Sequence, residues 1–164
     1  LMVWSKKGSS WRDYMAWRGV GFGRVVLWVI ICLLSVFGMG ILHHALGWTE
    51  SGFMDELVLT RSPIWMVLSV AVIAPIFEEM VFRGFVYGGF ERSVGALPAV
   101  LLSSLLFTVL HGQYNVYELA QIFVLGMVLG LARMRTQSLF TPIVMHAANN
   151  ALATAMVFLA DKVK

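Results

Sequence analysis

Ile64-Trp65-Met66-Val67-Leu68-Ser69-Val70-Ala71-Val72-Ile73-Ala74-Pro75-Ile76-Phe77-Glu78-Glu79-Met80-Val81-Phe82-Arg83 begins as a membrane-spanning helix and then takes on two carboxylates and a guanidinium. A span needs about 20 mostly apolar residues. An ionised side chain such as Asp at mid-bilayer costs roughly 2.5–3.5 kcal/mol on insertion scales. Intramembrane ionisable groups mark functional sites by default, so this stretch sets both the class of the protein and the place where chemistry is expected.

Composition agrees. Of 164 residues, 59% are hydrophobic and 13% charged, with mean hydropathy +0.81. A soluble domain is nearer half apolar and a quarter charged. The excess lies in long blocks, which predicts an all-α, multi-pass transmembrane bundle and excludes disorder and collagen-like repeats. Cys32 is the single cysteine, so no intrachain disulfide forms. The net charge of +3 and pI near 9.3 are explained by basic loops facing anionic lipid. No basic run is long enough for a nucleic-acid patch, so membrane lipid is the expected partner of this charge, with no nucleic acid; a membrane-associated peptide or protein partner is what the motifs below imply.

Five spans are expected. The first runs from about Arg24 to Leu46, followed by a polar loop over 47–63. The second starts at Ser62-Pro63, a helix-start pair, and passes a kink at Pro75 to about Gly88-Gly89. The third, shorter, covers about Leu97 to Gly112. The fourth covers about Val116 to Met134, with Gly126 and Gly130 spaced for close helix packing. The fifth covers about Ser138 to Ala160. Residues 1–23 read as an interfacial segment of Trp4, Trp11, Tyr14 and Trp17 among Lys6, Lys7, Arg12 and Arg18, not as a signal peptide. Residues 24–160 form the transmembrane domain. Leu1 as first residue is expected of a fragment or an unusual start codon. Lys6, Lys7, Arg12, Arg18, Arg24, Arg92, Arg133 and Arg135 fall on one side, against Arg61, Lys162 and Lys164 on the other. The richer side, with the amino end, is expected in the cytoplasm.

Three pairs recur four residues apart, hence on one helix face: Glu79 with Arg83, Phe107 with His111, and His146 with Asn150. Glu78 points about 100° from Glu79 around its helix. Glu79 can then neutralise Arg83 while Glu78 faces a cavity. At a rise of about 1.5 Å per residue, Glu78 lies about 15 Å from Gly88, His146 about 12 Å from Ser138 and His111 about 20 Å from Pro98. The three can meet at one depth. A carboxylate in a low-dielectric cavity is a stronger base than in water. Glu78 could take a proton from water held by His111, and His146 and Asn150 could donate to the oxyanion of a peptide carbonyl. Phe107 reads as packing against a catalytic ring. His43 and His44 read as interfacial, and Glu118 as an N-terminal charge favoured by the helix dipole.

The motifs also carry a resemblance. Glu78-Glu79-Met80-Val81-Phe82-Arg83 resembles the EExxxR motif of the CAAX protease and bacteriocin-processing (CPBP) family of intramembrane endopeptidases. Phe107-Thr108-Val109-Leu110-His111 resembles its FxxxH motif, and His146-Ala147-Ala148-Asn149-Asn150 its HxxxN motif. They occur in family order over residues 63–160. The resemblance implies an intramembrane glutamic endopeptidase acting on membrane-associated or lipidated peptides. In it Glu78 and His111 activate water, His146 and Asn150 form the oxyanion site, and Glu79 and Arg83 support them. It also implies a plasma membrane, bacterial for the members linked to bacteriocin immunity or abortive infection. No cofactor is expected. Three alternatives stand beside it: a zinc protease with Glu78, His111 and His146 as ligands, lacking the usual HExxH spacing, a transporter or proton relay, and a non-catalytic immunity or binding protein of the same fold.

Overall fold

The computed structural model describes residues 10–59 and 62–162. Lys6, Lys7, Trp4, Arg61 and Lys164 lie outside these. The described chain is helical, with no strand among these residues. In chain order the helices are α1 (Trp11–Tyr14), α2 (Phe22–Ala45), α3 (Phe53–Leu59), α4 (Ile64–Val94), α5 (Ala96–Val109), α6 (Val116–Thr136) and α7 (Phe140–Asp161). Four of them, α2, α4, α6 and α7, are long and apolar enough to cross a membrane. With the shorter apolar α5 they make an all-α membrane bundle.

α4 is the longest, at 31 residues, and runs past Gly88-Gly89 to Val94. Its backbone explains how it carries Pro75. A proline removes one N–H and crowds the carbonyl one turn back. Here the turns before it widen into a π-helical stretch, Val67–Ile73, in which the Ala74 N–H reaches back to the Ser69 carbonyl. The same register would pair the Val70 carbonyl with residue 75, which has no N–H. Asn150 of α7 donates to that carbonyl instead, at 3.0 Å. A second π-helical stretch, Met80–Val86, follows the glutamates. Such stretches cluster at functional sites. Gly95, at φ +90°, ends α4 and lets α5 start at once in a new direction.

α5 packs most extensively on α6. The small residues expected to permit this do so: a Cβ at Gly130 would lie 2.9 Å from Val100 Cγ1, and one at Gly126 would lie 3.2 Å from Ser104 Cβ. α2 lies at the side, meeting α6 and α7 through Cys32, Leu125, Leu129, Ala132 and Met145. Much of its remaining surface is exposed apolar side chain, as lipid contact requires.

Three expectations are corrected. The 47–63 segment is not only a polar loop, since it folds α3 across the bundle end. Phe53 meets Tyr114 edge-on at 5.1 Å, and Glu118 accepts from Ser51 while completing a capping box with Asn115. α5 stops at Val109, so His111 lies in the following turn and not on the helix. His43 is buried against Trp48, with ring centroids 5.2 Å apart, because α2 turns its end toward α6 where Trp48 stacks on Tyr117. Residues 10–20 are tied to the bundle. The Leu139 N–H donates to the Ala16 carbonyl, Arg92 lies over the Tyr14 ring, and Met15 fills the space a Cβ at Gly84 would take.

Replacing Gly130 with valine forces Val100 aside and should cost about 1–3 kcal/mol, as overpacking does. Thermal unfolding in detergent should show a lowered Tm, largely restored by adding Val100→Ala.

Candidate active site

Arg83 and Glu79 are both fully buried, and Arg83 Nη1 donates to Glu79 Oε1 at 2.8 Å. Arg83 Nη2 donates to the Gly126 carbonyl at 2.9 Å, an approach that a side chain at Gly126 would crowd. The Arg83 guanidinium lies over the Phe107 ring, 4.7 Å from its centroid. Its backbone carbonyl, within the π-helical stretch, accepts from Arg133 Nε at 3.2 Å. Arg133 is only 3% exposed, so it is an internal tie between α4 and α6 and not the loop cation that its place near the helix end suggests.

Glu79 reaches a second partner. His146 Nδ1 donates to the same Oε1 at 2.9 Å, across from α7. That oxygen already accepts from Arg83, so it accepts here too and an imidazole proton sits on Nδ1. His146 Nε2 then faces Glu78 Oε2 at 3.7 Å. The ring is held between two carboxylates from adjacent positions of one helix. The expected division of labour is therefore modified: Glu79 is the buried, paired carboxylate, and Glu78, at 26% exposure, is the accessible one, but one histidine meets both. The sequence contains no local signal of the Glu79–His146 bond, because it joins residues 67 positions apart.

Phe107 packs at the centre of the group. It meets Phe82 edge-on at 5.1 Å, His146 edge-on at 5.8 Å and His111 at 4.5 Å. His111 Nδ1 bonds the Phe107 carbonyl at 2.7 Å, taking up an acceptor that the end of α5 leaves without a helical partner. A carbonyl only accepts, so this ring donates from Nδ1 and directs Nε2 away from the helix end. Tyr114 stacks beside it at 6.2 Å.

Asn150 is placed by its bond to the Val70 carbonyl, and its Oδ1 accepts from Asn149 Nδ2 at 3.3 Å. The structure therefore brings Glu78, Glu79, Arg83, Phe107 and His146 into one contact group. His111 adjoins it through Phe107, and Asn150 lies one turn along α7. Among the described residues, no three His, Cys, Asp or Glu side chains are placed together to hold a metal ion.

Comparison with known proteins agrees with the motifs. The family described as type II CAAX prenyl endopeptidase, Rce1-like, matches residues 60–152, a range that holds every residue of the site. The chain belongs to this family. It is 32% identical over 140 residues to an uncharacterized 24.3 kDa protein of Escherichia coli, covering 79% of this chain and 61% of that one. It is 28% identical over 145 residues to the membrane-embedded CAAX protease MroQ of Staphylococcus aureus, covering 82% of this chain and 54% of that one. It is 30% identical over 103 residues to the UPF0177 protein YajF of Lactococcus lactis, covering 62% and 49%. The chain thus spans about half to three fifths of the length of these relatives. No solved structure matches it significantly.

Removing one member of the buried Glu79–Arg83 pair should cost about 3–5 kcal/mol, since the other charge is stranded. Arg83→Met and Glu79→Gln should each lower the unfolding midpoint sharply, and the double variant should lose less than the sum of the two. Denaturant or thermal unfolding of the three variants checks this.

Proposed function

We propose that the protein is an intramembrane endopeptidase that hydrolyses peptide bonds of membrane-associated or lipidated peptides with water activated by Glu78, without a metal. The observation that carries this reading is the His146 ring held between the Glu78 and Glu79 carboxylates. Family membership sets the reaction class, and the arrangement suggests a role for each group.

Glu78 is the partly exposed carboxylate and acts as general base. It takes a proton from a water molecule that also hydrogen-bonds to the Nε2 lone pair of His111. The resulting hydroxide adds to the peptide carbonyl carbon, and the carbonyl π electrons move to oxygen. His146, oriented through Nδ1 by Glu79, offers an Nε2–H to that oxyanion when protonated. Asn150 has two amide N–H groups, and its bond to Val70 uses one, leaving the other as a second donor. Collapse of the tetrahedral intermediate breaks the C–N bond, and Glu78 returns its proton to the leaving amine. Arg83 and Phe107 hold these groups without touching substrate. The Nδ1 bonds to Glu79 and the Phe107 carbonyl set the direction in which each histidine presents its Nε2.

The basic end of the bundle, with the amino terminus, faces the cytoplasm in this reading. The substrate then enters from the lipid or from that side.

The test is proteolysis of candidate membrane peptides by the purified chain in proteoliposomes. Glu78→Gln and His111→Ala should each reduce kcat by about 10²–10⁴-fold, the usual worth of a positioned base, with both proteins still folded. Activity should persist in chelator. Full activity in Glu78→Gln would overturn the catalytic reading and favour a binding protein, whereas loss on chelation with recovery on added zinc would overturn the metal-free one.

A further inference from the structure

Two adjoining cavities lie where the amino-terminal segment meets the bundle, at the end of α4 and α6 away from α3. The first, of about 230 Å³, is bounded by Arg18, Arg92 and Arg133, with Asp13 and Glu91. The second, of about 220 Å³, is bounded by Trp17, Val20 and Phe140, and Arg18 belongs to both.

The first cavity holds more positive than negative charge. Three guanidinium groups face two carboxylates, and the carboxylates are partly engaged. Asp13 accepts from Ser10 at 2.7 Å and meets Arg18 at 3.5 Å, and Glu91 accepts from the Tyr87 hydroxyl at 2.8 Å. Arg92 spends its guanidinium face on the Tyr14 ring and keeps its edge free. Arg133 is nearly fully buried, and its Nη1 finds no acceptor. A buried donor without a partner is costly, more so when charged. An anion with several oxygens would supply the missing acceptors, and planar guanidinium forks suit phosphate best.

We infer that this cavity binds a phosphate anion at headgroup depth, its oxygens received by Arg18, Arg92 and Arg133. A phospholipid headgroup and a soluble phosphate ester share that chemistry. The apolar cavity on the other side of Arg18 favours the lipid, because it offers Trp17, Val20 and Phe140 to the glycerol and upper acyl chain. Trp11 and Trp17, both exposed, mark the same level, where tryptophan is enriched at membrane interfaces. The site stands apart from the carboxylate–histidine group and is independent of the protease reading.

The full chain, purified in neutral detergent, is titrated with phosphatidylglycerol, diacylglycerol and glycerol 3-phosphate, with bound lipid counted by native mass spectrometry. The expected result is one saturable phosphatidylglycerol per chain, bound at least tenfold more weakly by the Arg18→Gln/Arg92→Gln variant. Arg135→Gln, which removes an exposed charge at the same end but outside the cavity, should leave binding intact. Diacylglycerol should not compete. Glycerol 3-phosphate binding as tightly as the lipid, with the same arginine dependence, would support the phosphate site and make its ligand soluble. Binding that never saturates, is equal in the double variant, or is matched by diacylglycerol overturns the inference. Should the double variant fold poorly, short-chain phosphatidic acid must displace phosphatidylglycerol from the unaltered chain, and failure to do so also overturns it.

Discussion

A guanidinium and a carboxylate buried together in an apolar bundle dictate much of what surrounds them. Neither Glu79 nor Arg83 has solvent contact, so every hydrogen bond each can make must come from protein. Arg83 accordingly recruits the Gly126 carbonyl from α6 and the face of Phe107 from α5. Glu79 recruits His146 from α7. One ion pair therefore fixes the relative placement of four helices. The residues that partner it are the ones that bring the accessible Glu78 against an imidazole, while Glu79 Oε2 and Arg83 Nε stay without a partner. The charge that is costly to bury and the chemistry it supports are parts of one arrangement.

The short α5 has a related effect. Its 14 residues rise about 21 Å, less than the roughly 30 Å of a hydrocarbon core. The turn carrying His111 and Tyr114 is thus set below the far headgroups if α5 starts at the near ones. Non-helical backbone at such depth is tolerated only where protein or a water-filled cavity covers it. α3 supplies cover, with Phe53 and Met54 against Tyr114 and Val58 fully buried. A histidine in a covered turn can be reached by water in a way that one on a lipid-facing helix cannot.

Much of this was legible in the sequence because it is local or periodic. The apolar blocks gave the spans, Gly126 and Gly130 gave the α5–α6 contact, and the four-residue spacing gave the Glu79–Arg83 pair. What escaped is long-range. Nothing near His146 announces that it will bond Glu79, and nothing near Arg133 announces that it will turn inward to the Arg83 carbonyl. His43 looked interfacial because its cover, Trp48, comes from the chain beyond the helix end. The segment over 47–63 looked like a loop because its polar residues outweigh the seven of α3 that fold.

Pro75 and Asn150 give one last lesson. The imino acid withholds a donor from α4, and an amide on α7 takes the vacated acceptor. Restoring an ordinary residue at 75 would return a rival donor to Val70, and the amide would lose the anchor that sets its angle. The imino acid and the amide are thus energetically coupled, so that the cost of changing one depends on what stands at the other.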